Sequence, residues 1–358
     1  MADLKTYSQE TLDWLLKNSN PSVRYLTLVN ILNKSDGDDE VVAARKDLME
    51  QGAVEKILSH QNPDGGFISE AMVRKYGEVR ARSGYQPNYK GTIWQALFLA
   101  QLGADKGDER IKELCQFILD TNYSEKYQVL GIYAQRDSSL DFVSIPCFIS
   151  NMIWALSKFG FYDDERVQDS IKWLLKYQRF DDGDFKTPQE WPYRGNRDRC
   201  FSKHSCYIGC TQALKAMTVI PQKDRSPEIG AFIKRGIDFV LLHQVYKKSR
   251  AYDKPIRKDY ELLAFPLTYQ DDILQILETL LFFNTEDRAI DDAIEFILAK
   301  RNDNDRWRLE KTVSSSWSYA QFGKKGEESK WITYRAINIL KKYHETLISG
   351  GGFEWQNS

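Results

Sequence analysis

Helical segments of two kinds alternate along this chain, and no other feature limits its possible folds as strongly. The first kind is amphipathic, with a charged start followed by apolar residues at positions i, i+3, i+4 and i+7. Copies of this pattern occupy residues 108–119, 164–175, 229–242 and 286–298. Several copies are followed by a turn rich in aspartate and glycine and then by an aromatic residue, as in 61–67 and 178–185.

The second kind of segment is more apolar and carries its polar residues mainly at its start. Six such segments begin near Pro21, Lys90, Pro146, His204, Tyr269 and Lys330. Their separation of roughly sixty residues is typical of a long-period helical repeat. We therefore expect an all-α fold, an (α/α)6 toroid of six inner and six outer helices, formed as a single domain by residues 1–358. An open helical solenoid would produce the same alternation.

The charge balance and the hydropathy pattern exclude several classes of protein. The chain has 50 Lys and Arg against 51 Asp and Glu, so we expect no nucleic-acid partner. No stretch approaches the ~20 apolar residues that span a bilayer, and the N-terminus lacks the apolar region of a signal peptide. We expect a cytoplasmic protein without a membrane span. Five irregularly spaced cysteines favour free thiols or metal ligands over a disulfide framework.

Cysteine and histidine concentrate at the starts of two neighbouring apolar segments. Cys147 opens one of them, and Cys200, His204 and Cys206 precede the next. Thiolate and imidazole suit a tetrahedral zinc ion, so these residues predict a zinc site. Cys206 ranks last of the four, because two residues of helix rotate a side chain by about 200°. The alternative is that the thiols are buried and inert.

Two motifs resemble those of known families. The turns such as 61–67 resemble the turn motifs of squalene and oxidosqualene cyclases. Residues 204–214, which begin His-Ser-Cys-Tyr, resemble the helix opening of protein prenyltransferase beta subunits, whose histidine binds zinc. Both families belong to a group of α/α toroids with six helix pairs and an active site in the central cavity, near the N-terminal ends of the inner helices. The resemblance implies this fold and a hydrophobic, isoprenoid-like substrate.

The prenyltransferase resemblance is incomplete. An Asp-x-Cys pair opens the preceding inner helix in those enzymes, whereas residues 145–147 here keep the cysteine and have isoleucine in place of the aspartate. Cys200 is expected to take the vacant ligand position. Cations at several inner openings are candidates for an anion or substrate rim, namely Arg24, Lys90, Lys203 and Lys330. Prenyltransferases also need a partner subunit, which this chain does not indicate.

The cyclase resemblance rests on another motif. Class II terpene cyclases protonate an alkene with an aspartic acid of an Asp-x-Asp-Asp motif, and residues 269–272 keep its last two positions, Asp271 and Asp272. Paired carboxylates push their pKa values apart, which suits a proton donor. Two aspartates at a helix start are also an ordinary N-cap. Aromatic residues make up 13% of the chain and could stabilise a carbocation.

The leading hypothesis is a prenyltransferase-like or terpene cyclase-like enzyme that acts on a small hydrophobic substrate, with zinc as its expected cofactor and Asp271 or Asp272 as its acid. Toroids also host carbohydrate-active enzymes, glycosidases and lyases, which use two carboxylates. A non-catalytic binding or scaffold protein is the third hypothesis. The sequence has no phosphate-binding glycine loop, nucleophile elbow or dinucleotide fingerprint.

Overall fold

The computed structural model describes residues 7–85, 88–136, 139–183, 185–193 and 200–349, and this part of the chain is mostly helical. In chain order the helices are α1 (Gln9–Leu16), α2 (Pro21–Leu26), α3 (Asp39–Glu50), α4 (Gly52–Leu58), α5 (Glu70–Tyr76), α6 (Glu78–Ser83), α7 (Thr92–Leu102), α8 (Glu109–Asn122), α9 (Pro146–Lys158), α10 (Glu165–Tyr177), α11 (Tyr207–Ala216), α12 (Pro227–Leu242), α13 (Ile273–Phe282), α14 (Arg288–Leu298) and α15 (Lys330–Ser349). A π-helical turn, Thr27–Ile31, continues α2.

Three small antiparallel strand pairs interrupt the helices. The strands are β1 (Tyr123–Ser124), β2 (Val129–Leu130), β3 (Ile132–Arg136), β4 (Ser139–Val143), β5 (Lys247–Lys248) and β6 (Ala251–Pro255), paired as β1 with β2, β3 with β4 and β5 with β6. Tyr133 faces Phe142 across β3 and β4, with ring centroids 5.4 Å apart. Cross-strand aromatic pairs of this kind stabilise a short hairpin. The expectation of a purely helical chain omitted these hairpins.

The six apolar segments are helices that begin within four residues of the predicted positions. They are α2, α7, α9, α11, α13 and α15. Contacts join α7 to α9, α9 to α11, α11 to α13, α13 to α15, and α15 to α2. Gly103, which follows α7, lies against Tyr25 of α2. The contacts between these helices thus lead from α2 through the series and back to α2.

The burial of the helices follows their two sequence patterns. In α7 nine of eleven residues are buried, including polar Thr92 and Gln95, as expected for a helix with neighbours on all sides. In α8, α10 and α14 the buried residues follow the apolar stripe, and an aspartate caps each N-terminus: Asp108, Asp164 and Asp287. Of the described helices, none has both the length and the apolar content that a bilayer crossing requires.

The aromatic turns attach the starts of two apolar helices to the rest of the chain. The backbone N–H of Phe67 donates to the Thr92 hydroxyl at 2.9 Å, and that of Trp307 donates to the Thr333 hydroxyl at 3.0 Å. Both aromatic side chains are fully buried. In the first turn Gly65 has φ +85°, and a Cβ there would lie 2.4 Å from a backbone oxygen of α8. These turns fix the N-terminal ends of α7 and α15. The candidate site lies near the N-terminal ends of the apolar helices.

Candidate functional site

Asp271 lies two residues before α13 and is 4% exposed. Its Oδ1 accepts a hydrogen bond from the side-chain amide of Gln275 at 2.6 Å and another from that of Gln212. Its Oδ2 contacts the hydroxyl of Thr211. Gln212 and Thr211 lie on α11, and Gln275 lies on α13. Two neighbouring apolar helices therefore supply all of these polar contacts.

Burial raises the pKa of Asp271 to about 7, although the Thr211 hydroxyl and the charge of Lys215 oppose the shift. A large share of the molecules therefore carries a proton on this carboxyl at neutral pH. The Thr211 hydroxyl also lies 3.1 Å from the carbonyl oxygen of Tyr207. A hydroxyl has one proton to donate, so if it donates to that carbonyl, Asp271 must donate to Thr211. This hydrogen-bond pattern suits a neutral acid.

Asp272, the adjacent carboxyl, has a different environment. It is the N-cap of α13, where Oδ1 accepts from the Gln275 backbone N–H at 3.0 Å, and its Oδ2 accepts from the Ala264 N–H at 3.0 Å. The guanidinium of Arg335, on α15, donates to both oxygens at 2.8 and 2.9 Å. Four donors therefore occupy the acceptor positions of the two Asp272 oxygens. The geometry thus distinguishes Asp271, a candidate acid, from Asp272, a structural ion-pair partner.

Lys215, on α11, is a buried cation that the sequence analysis passed over. It is 7% exposed, its Nζ lies 3.3 Å from Asn151 Oδ1, and it lies 3.9 Å from the ring centroid of Trp154. Burial lowers its pKa to about 8, although the charges of Asp271 and Glu278 oppose the shift. A lysine within the apolar run 213–217 was the available signal, because a helix buried on all sides has no solvated face for it.

Two cavities adjoin this group of residues. The smaller, of about 170 Å³, is lined by Asp271, Tyr89 and Tyr269 among others. The larger, of about 490 Å³, is lined by residues from the later turns of α9, α11 and α13 together with residues of α15. Leu267 lines both cavities, and the hydrogen bond between Asp271 and Gln275 joins one lining residue of each. The two cavities are therefore neighbours with Asp271 at their boundary.

Aromatic rings cluster beside the smaller cavity. Tyr85 stacks on Trp94 with centroids 4.5 Å apart, and Tyr269 lies 6.0 Å from Tyr85 and 6.3 Å from Trp94. Tyr89, which lines the cavity, lies edge-on to Trp94 at 5.2 Å. The faces of such rings carry negative electrostatic potential and attract cations. The acid therefore borders a cavity beside a group of rings that can stabilise positive charge.

The predicted zinc ligands separate into two groups. Burial raises the pKa of the Cys147 thiol well above its usual value, and the neighbouring thiols of Cys200 and Cys206 add to the shift. His204 instead contacts Asp182, with Nδ1 3.3 Å from Oδ1, and its side chain is 57% exposed. None of the five cysteines forms a disulfide bond.

The described residues show no arrangement that supports a metal site. Within the described residues, no group of three or more His, Cys, Asp or Glu side chains is arranged to hold a metal ion. The described part of the chain gives no support to the zinc prediction.

The four cations predicted to form an anion rim have separate surroundings. Arg24 pairs with Asp47 at 3.4 Å. Lys90 lies over an aromatic ring, at 5.4 Å from its centroid. Lys330 donates to a hydroxyl at 2.9 Å and to a backbone carbonyl oxygen at 3.2 Å, both near residue 18 of the chain. Lys203 is exposed. The described contacts do not join them into one group.

Comparisons with known proteins give a distant likeness. No family model and no curated protein matches the chain. Among solved structures, the chain is similar to a variant of the type II terpene cyclase MstE from Scytonema, in complex with its substrate geranylgeranyl dihydroxybenzoate. The match covers 94% of this chain and 99% of that one, with 13% identity and a TM-score of 0.43. A likeness at this level carries no argument about activity, which has to be inferred from the residues themselves.

Proposed function

We propose that this chain is an enzyme of the terpenoid cyclase type, in which Asp271 donates a proton to an alkene of a hydrophobic, isoprenoid-like substrate. The observation that carries the proposal is a buried carboxyl with a pKa of about 7 that lines a cavity beside an aromatic cluster. Part of the molecules carry a proton on this group at neutral pH, and the cavity brings a ligand within reach of it.

We also propose that the six apolar helices are the inner ring of an (α/α)6 toroid that forms a single domain. The series of contacts from α2 through α7, α9, α11, α13 and α15 and back to α2 supports this arrangement. The one-faced burial of α8, α10 and α14 supports an outer layer. Asp271 forms hydrogen bonds with side chains of α11 and α13, so in such a ring it would lie toward the centre of the toroid.

The surroundings of Asp271 suit both states of a proton donor. Before transfer, burial disfavours the charged form and retains the proton. In the transfer the proton forms a bond to one alkene carbon, and positive charge develops on the other. The amides of Gln212 and Gln275 and the nearby charge of Lys215 then stabilise the carboxylate that remains. The aromatic faces stabilise the carbocation.

The other hypotheses find less support. Glycosidases place two carboxylates across an open cleft. The smaller cavity is lined by two carboxylates, but Asp259 pairs with Lys311 at 3.1 Å, and the larger cavity has Glu278 as its one lining carboxylate among the described residues. A scaffold protein has no need for a buried carboxyl that contacts three polar side chains at a cavity wall, because such groups are costly to bury. An enzyme that donates a proton from Asp271 accounts both for the buried carboxyl and for its position at a cavity wall.

The proposal is tested by incubating the full chain with linear isoprenoid alkenes in D2O and analysing the products by mass spectrometry. Because a carboxyl proton exchanges with solvent, we expect a cyclised product with one deuterium bound to carbon. Heat-denatured protein is the control for uncatalysed reaction. A product without deuterium, or no product from any of squalene, farnesol and geranylgeraniol, would contradict the proposal.

A further inference from the structure

The larger cavity carries more positive than negative side chains. Among the described residues that line it are four cations, Lys158, Lys215, Lys342 and Arg335, and one carboxylate, Glu278. They come from four helices, α9, α11, α13 and α15. The cavity is thus a place where separate parts of the chain bring like charges together.

Most of these positive charges have no partner of opposite charge in contact. Arg335 is neutralised by Asp272, but Lys215 contacts the neutral amide oxygen of Asn151. The side-chain ammonium groups of Lys158 and Lys342 form no hydrogen bond or ion pair with the described part of the chain. Among the described residues that line this cavity, three ammonium groups therefore lie near one carboxylate, Glu278, although the charge of Asp271 also acts on Lys215.

The local electrostatics are consistent with this excess. Lys158 is exposed at the end of α9, but the partial loss of solvent around its ammonium group lowers its pKa, the charge of Lys342 lowers it further, and Glu278 opposes both effects. The C-terminal ends of α9 and α11 offset part of the positive charge of Lys158 and Lys215. Lys342 lies in the interior of α15, so no helix C-terminus offsets its positive charge. An anion bound among these groups would relieve the repulsion.

Aromatic residues form part of the remaining lining, beside uncharged polar residues such as Gln275 and Asn338. Trp154, Phe265, Phe282 and Trp331 face the cavity, whose volume of about 490 Å³ lies in the range of small-molecule sites. Trp154 also lies against Lys215. Apolar walls beside unpaired ammonium groups would accommodate a ligand that has an apolar body and an anionic end.

We propose that the larger cavity binds an amphipathic anion, with its carboxylate or phosphate group among Lys158, Lys215 and Lys342 and its apolar body against Trp154 and Phe282. This site adjoins the smaller cavity, which Asp271 lines, and Leu267 borders both cavities. The inference does not rest on proton transfer by Asp271.

The test is calorimetric binding of octanoate, octyl phosphate and 1-octanol to the full chain. We expect at least one of the two anions to bind at least about tenfold more tightly than the alcohol, since only the anions gain from the ammonium groups. The tighter of the two anions identifies the head group. Equal affinity for the anions and the alcohol, or no binding of either anion, would overturn the proposal.

Variants locate the binding to the cavity. Lys158→Met and Lys342→Met are each expected to weaken binding of the preferred anion by about tenfold while leaving 1-octanol unaffected. Lys234→Met is the matched control, because Lys234 is exposed on α12 and pairs with Asp238. Circular dichroism establishes that each variant is folded. Unchanged affinity of both cavity variants would overturn the assignment of the site.

Discussion

Replacing Arg335 by methionine is expected to lower the free energy of unfolding by about 3–5 kcal/mol. Arg335 is 8% exposed, and its guanidinium donates to both oxygens of Asp272, whose side chain is fully buried. Methionine has a similar length but leaves the Asp272 charge in the core with only two backbone N–H donors, those of Ala264 and Gln275. Urea denaturation followed by circular dichroism measures the change.

Two further variants isolate the cause of this loss. The double variant Asp272→Asn with Arg335→Met removes both charges, so we expect it to be more stable than Arg335→Met alone. Arg74→Met is the matched surface control, because the ion pair of Arg74 with Glu70 is exposed and contributes at most about 1 kcal/mol. A loss of under about 1 kcal/mol in Arg335→Met would show that the pair does not hold α13 to α15.

Replacing Asp271 by asparagine is expected to reduce the rate of deuterated product formation by about 10²- to 10⁴-fold, the usual contribution of a general acid. Asparagine has nearly the same shape but no acidic proton. It also leaves the charge of Lys215 without the opposing effect of a nearby carboxylate. The initial rate with the best isoprenoid substrate, measured in D2O, gives the change.

Asp259→Asn is the matched control for this experiment. Asp259 also lines the smaller cavity, but its side chain is 37% exposed and it pairs with Lys311 at 3.1 Å. We expect its loss of rate to be less than about tenfold, since its side chain is partly exposed and already paired with Lys311. If the Asp259 variant loses more activity than the Asp271 variant, the acid has been assigned to the wrong residue.

The helices were predictable because their signals are local. Pro21 and Pro146 each occupy the first turn of a helix, where proline is favoured, and the apolar periodicity that follows fixes the helix type. The pair Asp271 and Asp272 could also be recognised as a candidate site. Its two roles could not be separated, because they depend on Arg335, 63 residues further along the chain.

Other parts of the site depend on tertiary contacts that spacing does not reveal. His204 seemed placed for a metal by its distance from Cys200 and Cys206, yet it forms an isolated β-bridge with Asp182 before α11 begins. Its imidazole therefore contacts that carboxylate. Lys215 resembles any lysine near a helix end until the neighbouring helices are known to cover it. Burial of a polar group is a property of the packed fold, and one chain segment does not determine it.

The most direct test of the account is the titration of the Asp271 carboxyl by NMR, in protein labelled with carbon-13 at the aspartate carboxyl carbons. Because burial raises this pKa above the usual value near 4, we expect one aspartate signal to titrate with a midpoint at about 7 and to disappear in Asp271→Asn. Since Asp271 and Lys215 interact, the midpoint belongs to the pair. A wild-type spectrum in which every aspartate carboxyl titrates near pH 4 or below would contradict the claim that Asp271 is a neutral, proton-donating acid at the centre of the site.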